Sequence, residues 1–278
     1  MIGTIDRILT STYLQKFVNQ NQVGRGFGNL ADSPYIPKWL LRKIINAFIK
    51  NYQIDMDEYD YDILSARCFN EFFSRPLKAD QRPLASGIIS PVDGQITQLG
   101  ELKTGMMLQV KGKEFALNDL IGEDACFLEG HYAVIYLSPG DYHRFHAPAD
   151  LTLEKIRYIP GNLLATSSAS LANQDRVYCR NERIVLSGNS LWGPFYMVAV
   201  GATAVGRVSL THHEIHTNKK HAREQIITEN LPQSVAKGSE LGYFELGSTV
   251  VLAIGNQVMK SSQLNASSRI KMGETLWF

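Results

Sequence analysis

The sequence predicts an α+β protein in which a β-rich domain of the barrel or sandwich type follows an N-terminal helical region. Two observations predict this class. The chain has 278 residues, of which 44% are apolar, so it can bury a sizeable core in one large domain. Near residue 80 the pattern changes from helical periodicity to short β-like runs. We therefore expect helices within residues 1–80 and a β-rich domain over residues 81–278.

The N-terminal region contains a basic amphipathic helix. In "PKWLLRKIINAFIKNYQI" the apolar residues fall on one helical face, namely Leu41, Ile44, Ile45, Phe48, Ile49 and Tyr52. Basic residues lie on or beside this face at Lys38, Arg42, Lys43 and Lys50, and no acidic residue occurs between Asp32 and Asp55. Periodicity does not separate a face that packs on the β domain from one that lies on a membrane surface.

Two further helices are predicted around this one. "IDRILTSTYLQKFVNQ" has loose helical periodicity and precedes a Gly- and Asn-rich loop, "NQNQVGRGFGNLADSP". "DILSARCFNEFFSRPLK" predicts another helix, which ends near Pro76 because proline cannot continue an α-helix.

The remaining two thirds of the chain read as short strands separated by turn signals. Such runs include "HYAVIYLS", "ERIVLSG", "FYMVAVGATAVGRVSL" and "YFELGSTVVLAIGN". The last run is interrupted at Gly247 and Ser248. Glycine inside a strand indicates a bulge, a bend or a close backbone approach.

Composition excludes several classes of protein. A formal charge of +1 gives no argument for nucleic-acid binding. Three widely spaced cysteines form neither a disulfide framework nor a metal knuckle, which favours a reducing compartment. The N-terminus lacks a signal-peptide layout, and no run of about 18 apolar residues exists to span a bilayer.

Three segments carry the residue types of a nucleophilic relay. Asp93 lies in "SPVDGQI", His143 and His146 lie in "SPGDYHRFHAP", and Ser248 lies in "ELGST". Taken singly, an Asp-Gly pair is most often a hairpin turn and a spare histidine is most often structural. Taken together, Asp93, His146 and Ser248 form a relay in which the histidine accepts the serine proton. The aspartate would fix the histidine tautomer and stabilise the imidazolium.

The surroundings of Ser248 differ from those of a hydrolase. The G-x-S-x-G elbow and an obvious loop of oxyanion donors are missing. Gly247 precedes Ser248, and because glycine has no Cβ its carbonyl is open to attack. The serine's own preceding carbonyl is therefore a candidate target.

A histidine cluster at His212, His213, His216 and His221 lies in a polar setting without a cysteine partner. We interpret it as a solvated loop in preference to a metal site, and we predict no metal. Its role stays open.

The same segments resemble those of the phosphatidylserine decarboxylase family, of the bacterial membrane-associated type. The most specific match is "LGST", which is similar to the family's self-cleavage site. "DYHRFH" and "PVDG" are similar to its other signatures, and "FFSRPLK", "RNERIVL" and "GATAVG" to further family segments. The resemblance covers most of the chain, from about residue 60 to the end.

This resemblance implies a self-processing enzyme. Ser248 would attack the Gly247 carbonyl, and an N-to-O acyl shift followed by elimination would release residues 1–247. Hydrolysis of the remaining dehydroalanine would leave a pyruvoyl cofactor at position 248. His146, oriented by Asp93, is the expected base for this step, and His143 is the expected acid in the decarboxylation of phosphatidylserine to phosphatidylethanolamine.

The resemblance also implies a location and partners. We expect a peripheral protein at the cytoplasmic face of the cell membrane, where the basic N-terminal helix lies on anionic lipid with Trp39 near the headgroups. The two cleaved chains are expected to stay associated. The residues do not set the oligomeric state, for which a dimer is the expectation.

Two other functions remain open at this point. One is a Ser-His-Asp lipid or ester hydrolase with an uncleaved chain. The other is a non-catalytic β module that docks on membranes or carries a ligand. A denaturing gel separates both from the decarboxylase, because only the decarboxylase is cut at Ser248.

Overall fold

Antiparallel strands dominate the computed structural model of the chain. The structure describes residues 30–109, 112–166, 168–202, 207–215, 217–218, 222–245, 248–255, 260 and 264–278. Its strands are β1 (Ile88–Ile89), β2 (Gly94–Leu102), β3 (Met106–Leu108), β4 (Glu114–Ala116), β5 (Gly130–Leu137), β6 (Arg144–His146), β7 (Leu151–Ile159), β8 (Arg183–Ser190), β9 (Gly193–Gly201), β10 (Val208–Leu210), β11 (Gln225–Ile227), β12 (Gln233–Val235), β13 (Glu240–Phe244), β14 (Ser248–Ile254), β15 (Arg269–Ile270) and β16 (Thr275–Trp277).

Helices are few and mostly short. They are α1 (Lys38–Tyr52), α2 (Phe69–Phe73), α3 (Leu117–Ile121), α4 (Ser168–Asn173) and α5 (Val177–Arg180). The predicted α+β class is therefore confirmed.

The largest sheet is open at both edges. Its strand order is β11–β7–β8–β9–β14–β5–β2–β15, and β12 also pairs with β7. A three-stranded sheet, β10–β13–β6, packs against it through shared core residues. Two ladders, β1–β16 and β3–β4, complete the described sheets. Of the two alternatives, barrel and sandwich, the described strands form packed sheets and no closed barrel.

Both faces of the large sheet are buried, which explains why its central strands are apolar without interruption. Side chains alternate across a strand, so Val250 and Leu252 of β14 face the three-stranded sheet. Their neighbours Val251 and Ala253 face the opposite side, where the core includes α3 and α5. Strand β14 lies between β5 and β9, at the centre of this arrangement.

Helix α1 forms a third cluster with α2. Leu41, Ile45 and Phe48 are buried against the phenylalanines of α2. The predicted apolar face of this helix is therefore mainly a packing face. Because one turn is 3.6 residues, the adjacent positions Leu40 and Ile44 rotate away from the core and stay 37% and 38% exposed.

The other N-terminal predictions have mixed outcomes. The predicted helix over "DILSARCFNEFFSRPLK" is shorter than expected, because the Asp62 side chain accepts from Leu64 N and starts a separate 3₁₀ turn. The helix itself, α2, ends before Pro76. The predicted first helix and most of the Gly-rich loop lie outside the described residues. None of the described helices is long and apolar enough to cross a membrane.

Candidate active site

The junction between β13 and β14 passes from one sheet to another. β13 belongs to the three-stranded sheet and β14 to the large sheet. β13 ends at Phe244, and β14 begins at Ser248, whose backbone is paired to Leu137 and Gly201. Gly247 lies outside the described residues, and only the backbone of Ser248 is described.

A second connection runs beside this junction. Residues 138–143 join β5, the neighbour of β14, to β6, the neighbour of β13. Phe244 N donates to His143 O at 2.8 Å, which ties the two connections together. The DYHRFH segment therefore lies against the end of β13, the last strand before the predicted cleavage bond.

His143 is fully buried in this connection. Its Nδ1 donates to Asp141 O at 2.8 Å, and its ring lies 4.0 Å from the Phe73 ring, centroid to centroid. Among the described residues its Nε2 has no hydrogen-bond partner. Burial, with a smaller effect of the Arg75 charge, lowers the pKa of His143 to about 3, so the ring is neutral.

His146 is also buried, and both of its ring nitrogens have partners. Nδ1 donates to Gly238 O at 2.8 Å, and Nε2 accepts from the Tyr142 hydroxyl at 2.9 Å. Burial lowers the pKa of His146, while the Gly238 carbonyl and the charges of Glu240 and Asp93 oppose that shift. Burial raises the pKa of Tyr142, so its hydroxyl stays protonated and donates.

A glycine is required where His146 finds its acceptor. Gly238 has φ of +79°, in the left-handed region that side chains with a Cβ rarely adopt. A Cβ there would meet Leu84 at 2.6 Å. This backbone conformation presents the Gly238 carbonyl to Nδ1 of His146.

The predicted contact of Asp93 with His146 is not seen. The Asp93 carboxylate accepts from Arg82 Nη2 at 2.6 Å and from Met272 N at 2.7 Å. The tautomer of His146 is therefore fixed by the Gly238 carbonyl, which corrects the expectation that Asp93 sets it. Asp93 is still close to His146, because Pro91 lies in the same turn as Asp93 and its carbonyl oxygen accepts from His146 N at 2.9 Å. Its charge raises the pKa of His146, as noted above.

Arg82 links two carboxylates beneath this turn. It is 8% exposed and contacts Glu58 as well as Asp93. Burial alone would lower the pKa of Arg82, but the two carboxylates outweigh burial and raise it. Glu58 also binds Lys271 at 2.7 Å. These contacts join residues before the predicted cleavage bond to residues after it.

The strand end opposite Ser248 is held by a buried amide. Asn181 is fully buried, and its Nδ2 donates to Gly201 O and to Leu164 O, each at 2.8 Å. Its Oδ1 accepts from Leu164 N at 3.0 Å. The "RNERIVL" segment therefore fixes the irregular stretch around Leu164 against Gly201, the partner of Ser248.

The histidine cluster is only partly described. His212 and His213 line a pocket of about 130 Å³ between the two packed sheets, whose floor includes Leu153, Ile156 and Leu186. His216 and His221 lie outside the described residues. Within the part of the chain that is described, no group of three or more His, Cys, Asp or Glu side chains could hold a metal ion.

Comparison with known proteins decides the family. A family model described as phosphatidylserine decarboxylase matches residues 69–277. The chain belongs to this family.

Relatives in this family match over most of their length. The phosphatidylserine decarboxylase proenzyme of Legionella pneumophila strain Philadelphia 1 is 39% identical over 84% of this chain and 86% of its own. The proenzyme of Brevibacillus brevis is 38% identical over 92% and 91% of the two chains. That of Psychrobacter arcticus is 35% identical over 95% and 97%.

The region matched by the phosphatidylserine decarboxylase model contains all four predicted site residues, Asp93, His143, His146 and Ser248. Sequence reasoning overlooked Tyr142, Arg75 and Arg82 as members of the site. Tyr142 and Arg75 lie inside the quoted motifs DYHRFH and FFSRPLK, so the motifs themselves carried the signal. Arg82 lies outside every motif, and only the fold brings it to Asp93.

We expect Arg82→Gln to destabilise the protein by about 3–5 kcal/mol, because it leaves the Asp93 carboxylate buried without its cation. Chemical denaturation of the uncleaved chain measures this. Arg67→Gln is the matched control, since Arg67 pairs with Glu71 at the surface and its loss should change little. Equal stability of the two variants would show that the Arg82–Asp93 pair is not needed.

Proposed function

We propose that this protein is a self-processing, pyruvoyl-dependent decarboxylase that converts phosphatidylserine to phosphatidylethanolamine and CO₂. Family membership supports the reaction. The observation that supports the position of the site is a buried polar atom beside the end of β13, His143 Nε2. It has no hydrogen-bond partner among the described residues. Such atoms are rare in folded proteins and call for an explanation.

This orphaned nitrogen fits a polar group formed from Ser248. When formed, the pyruvoyl group would supply a ketone that withdraws electrons from the carbon losing CO₂. The protein's own residues must generate it, exclude water and move protons.

Maturation would begin with the Ser248 hydroxyl, which attacks the Gly247 carbonyl carbon. A serine hydroxyl is a weak nucleophile at neutral pH without a base. His146 Nε2 is the proposed base, and the step requires Tyr142 to release this nitrogen. The Gly238 carbonyl holds the Nδ1 proton throughout, while the nearby Glu240 and Asp93 charges stabilise the imidazolium.

His143 would serve the decarboxylation itself. Its Nε2 lone pair accepts a proton from the substrate ammonium group and later delivers it to the carbon that has lost CO₂. Burial keeps the resting ring neutral, so the proton that it delivers in the second step must be one taken from the substrate.

The two chains would stay together after cleavage. Residues 248–278 supply β14, β15 and β16, each paired with strands from before the cleavage bond. Arg269 adds an ion pair to Asp141, and Lys271 adds one to Glu58. Breaking one peptide bond therefore removes none of these contacts.

Membrane docking is proposed for the exposed side of α1. Trp39, Leu40 and Ile44 are exposed apolar side chains of α1, and Trp39 is 63% exposed. Lys38, Lys43 and Lys50 are exposed on the same helix, and Lys43 lies over the Trp39 ring at 5.3 Å. Aromatic and basic side chains are the groups that anchor a helix at an anionic lipid surface.

We expect Ser248→Ala to leave the chain whole and inactive, because no hydroxyl remains to attack Gly247. Intact mass measures this, with the parent giving two chains, 1–247 and 248–278. The short parent chain should carry a blocked N-terminus. Ser187→Ala, a buried serine of β8, is the control and should mature normally. A parent that stays whole yet hydrolyses lipid esters would support the hydrolase alternative.

Variants of the two histidines should affect maturation and decarboxylation separately. We expect His146→Ala to block cleavage, whereas His143→Ala should be cleaved at least in part but decarboxylate about 10²–10⁴-fold more slowly. Gel analysis measures the first effect and CO₂ release by cleaved enzyme measures the second. Full activity of cleaved His143→Ala would remove this residue from the mechanism.

Trp39→Asp combined with Ile44→Asp should release the protein from anionic vesicles without affecting cleavage at Ser248. Each basic residue near the surface adds about 1 kcal/mol, so binding of the parent should fall as salt rises. Vesicle co-sedimentation measures both effects. Leu191→Asp is the control, because Leu191 is 94% exposed at the β8–β9 turn. Unchanged binding of the double variant would place docking elsewhere.

A further inference from the structure

Arg75 is a fully buried arginine that binds backbone carbonyls. Its guanidinium donates to Gly140 O at 3.0 Å and more weakly to Asp141 O at 3.5 Å. It also donates to Phe72 O at 3.3 Å and lies over the Tyr59 ring at 4.1 Å. Within the described residues no carboxylate forms a salt bridge with it. A buried cation without an anionic partner is costly, so its placement needs a reason.

One of the carbonyls that Arg75 contacts, Asp141 O, also orients His143. Asp141 O accepts from His143 Nδ1 at 2.8 Å, so the two side chains share one acceptor. A neutral histidine carries its proton on one of two ring nitrogens. The hydrogen bonds of the ring decide which one, because a nitrogen that faces a fixed acceptor keeps the proton. A fixed Asp141 carbonyl therefore keeps the proton on Nδ1 and the lone pair on Nε2.

Other groups around the ring would not replace this contact. The Phe73 ring packs on His143 but offers no acceptor. The Asp141 carboxylate is engaged elsewhere, because it accepts from Ser138 N at 2.7 Å and pairs with Arg269. Arg75 is thus the charged side chain that faces both the ring and its acceptor.

We propose that Arg75 is a positioning residue for the decarboxylation step: it clamps the Gly140–Asp141 carbonyls and so fixes His143 as the Nδ1–H tautomer with an open Nε2. This proposal rests on the proposed function of His143. Arg75 acts through the ring and contacts neither the substrate nor the cofactor. Its positive charge also opposes protonation of the ring at rest, which keeps Nε2 available as an acceptor.

The first test is the ring tautomer in the full-length, uncleaved Ser248→Ala chain. Nitrogen–carbon correlation NMR at neutral pH reads the protonated nitrogen of His143, assigned by comparison with His143→Gln. We expect Nδ1–H in the chain with Arg75. A ring protonated at Nε2 would overturn the proposal without any Arg75 variant.

The second test uses Arg75→Gln, which keeps a hydrogen-bond donor but removes the positive charge and the several N–H donors of the guanidinium group. We expect a mixture of His143 tautomers and, in cleaved enzyme, kcat reduced about tenfold or more with KM for phosphatidylserine in mixed micelles nearly unchanged. Arg75→Lys should recover part of the activity. Arg183→Gln is the matched control, because Arg183 is also buried and binds the carbonyls of Asp119, Leu120 and Asn181.

The outcomes separate this proposal from the function on which it rests. If the unsubstituted protein releases no CO₂ from phosphatidylserine, the proposed function is contradicted. The tautomer of His143 is measured independently, because that experiment does not require enzyme activity. An unchanged tautomer or unchanged kcat in folded Arg75→Gln overturns the positioning role. Equal loss of kcat in Arg183→Gln, with no tautomer change in either variant, would show that Arg75 is only structural. If Arg75→Gln does not fold, Arg75→Lys and the tautomer of the uncleaved chain decide the question.

Discussion

The pairing of β14 on both edges is the constraint on which the site depends. Antiparallel bonds to β5 and β9 hold the backbone of Ser248 at the point where the chain enters the large sheet. β13, which precedes it in the chain, belongs to a different sheet. The bonds of β14 to β5 and β9 do not involve the proposed cleavage bond, so the cleavage proposed above would leave them in place.

Backbone carbonyls, more than acidic side chains, set the state of the two buried histidines. Asp141 O takes the Nδ1 proton of His143, and Gly238 O takes that of His146. A carbonyl acceptor fixes the tautomer without adding a full negative charge to a buried site. Burial then keeps both rings neutral, since it penalises their charged forms. The difference between them lies at Nε2, which accepts from Tyr142 in His146 and has no partner among the described residues in His143.

The sequence was most informative where chemistry depends on residue type and least where it depends on geometry. The motifs around Ser248 and the two histidines correctly indicated the family, and the strand pattern around them correctly predicted a β-rich fold. The partner of Asp93 could not be predicted, because Arg82 and Met272 reach it from distant parts of the chain. Periodicity also could not separate Ile44 from Ile45. A difference of one position, about 100° around a helix, places one in solvent and the other in the core.

Two buried arginines of the site have different partners and therefore different roles. Arg82 is bound by carboxylates, and its raised pKa shows that its charge is compensated. It fastens the turn that carries Asp93, which in turn holds Met272 of the C-terminal segment. Arg75 is bound by carbonyls and aromatic faces, and burial lowers its pKa. Its charge is therefore only partly offset, and it lowers the pKa of the nearby His143 ring. The first arginine fixes two carboxylates that bind the C-terminal segment, while the second is proposed to control where the proton of one histidine resides.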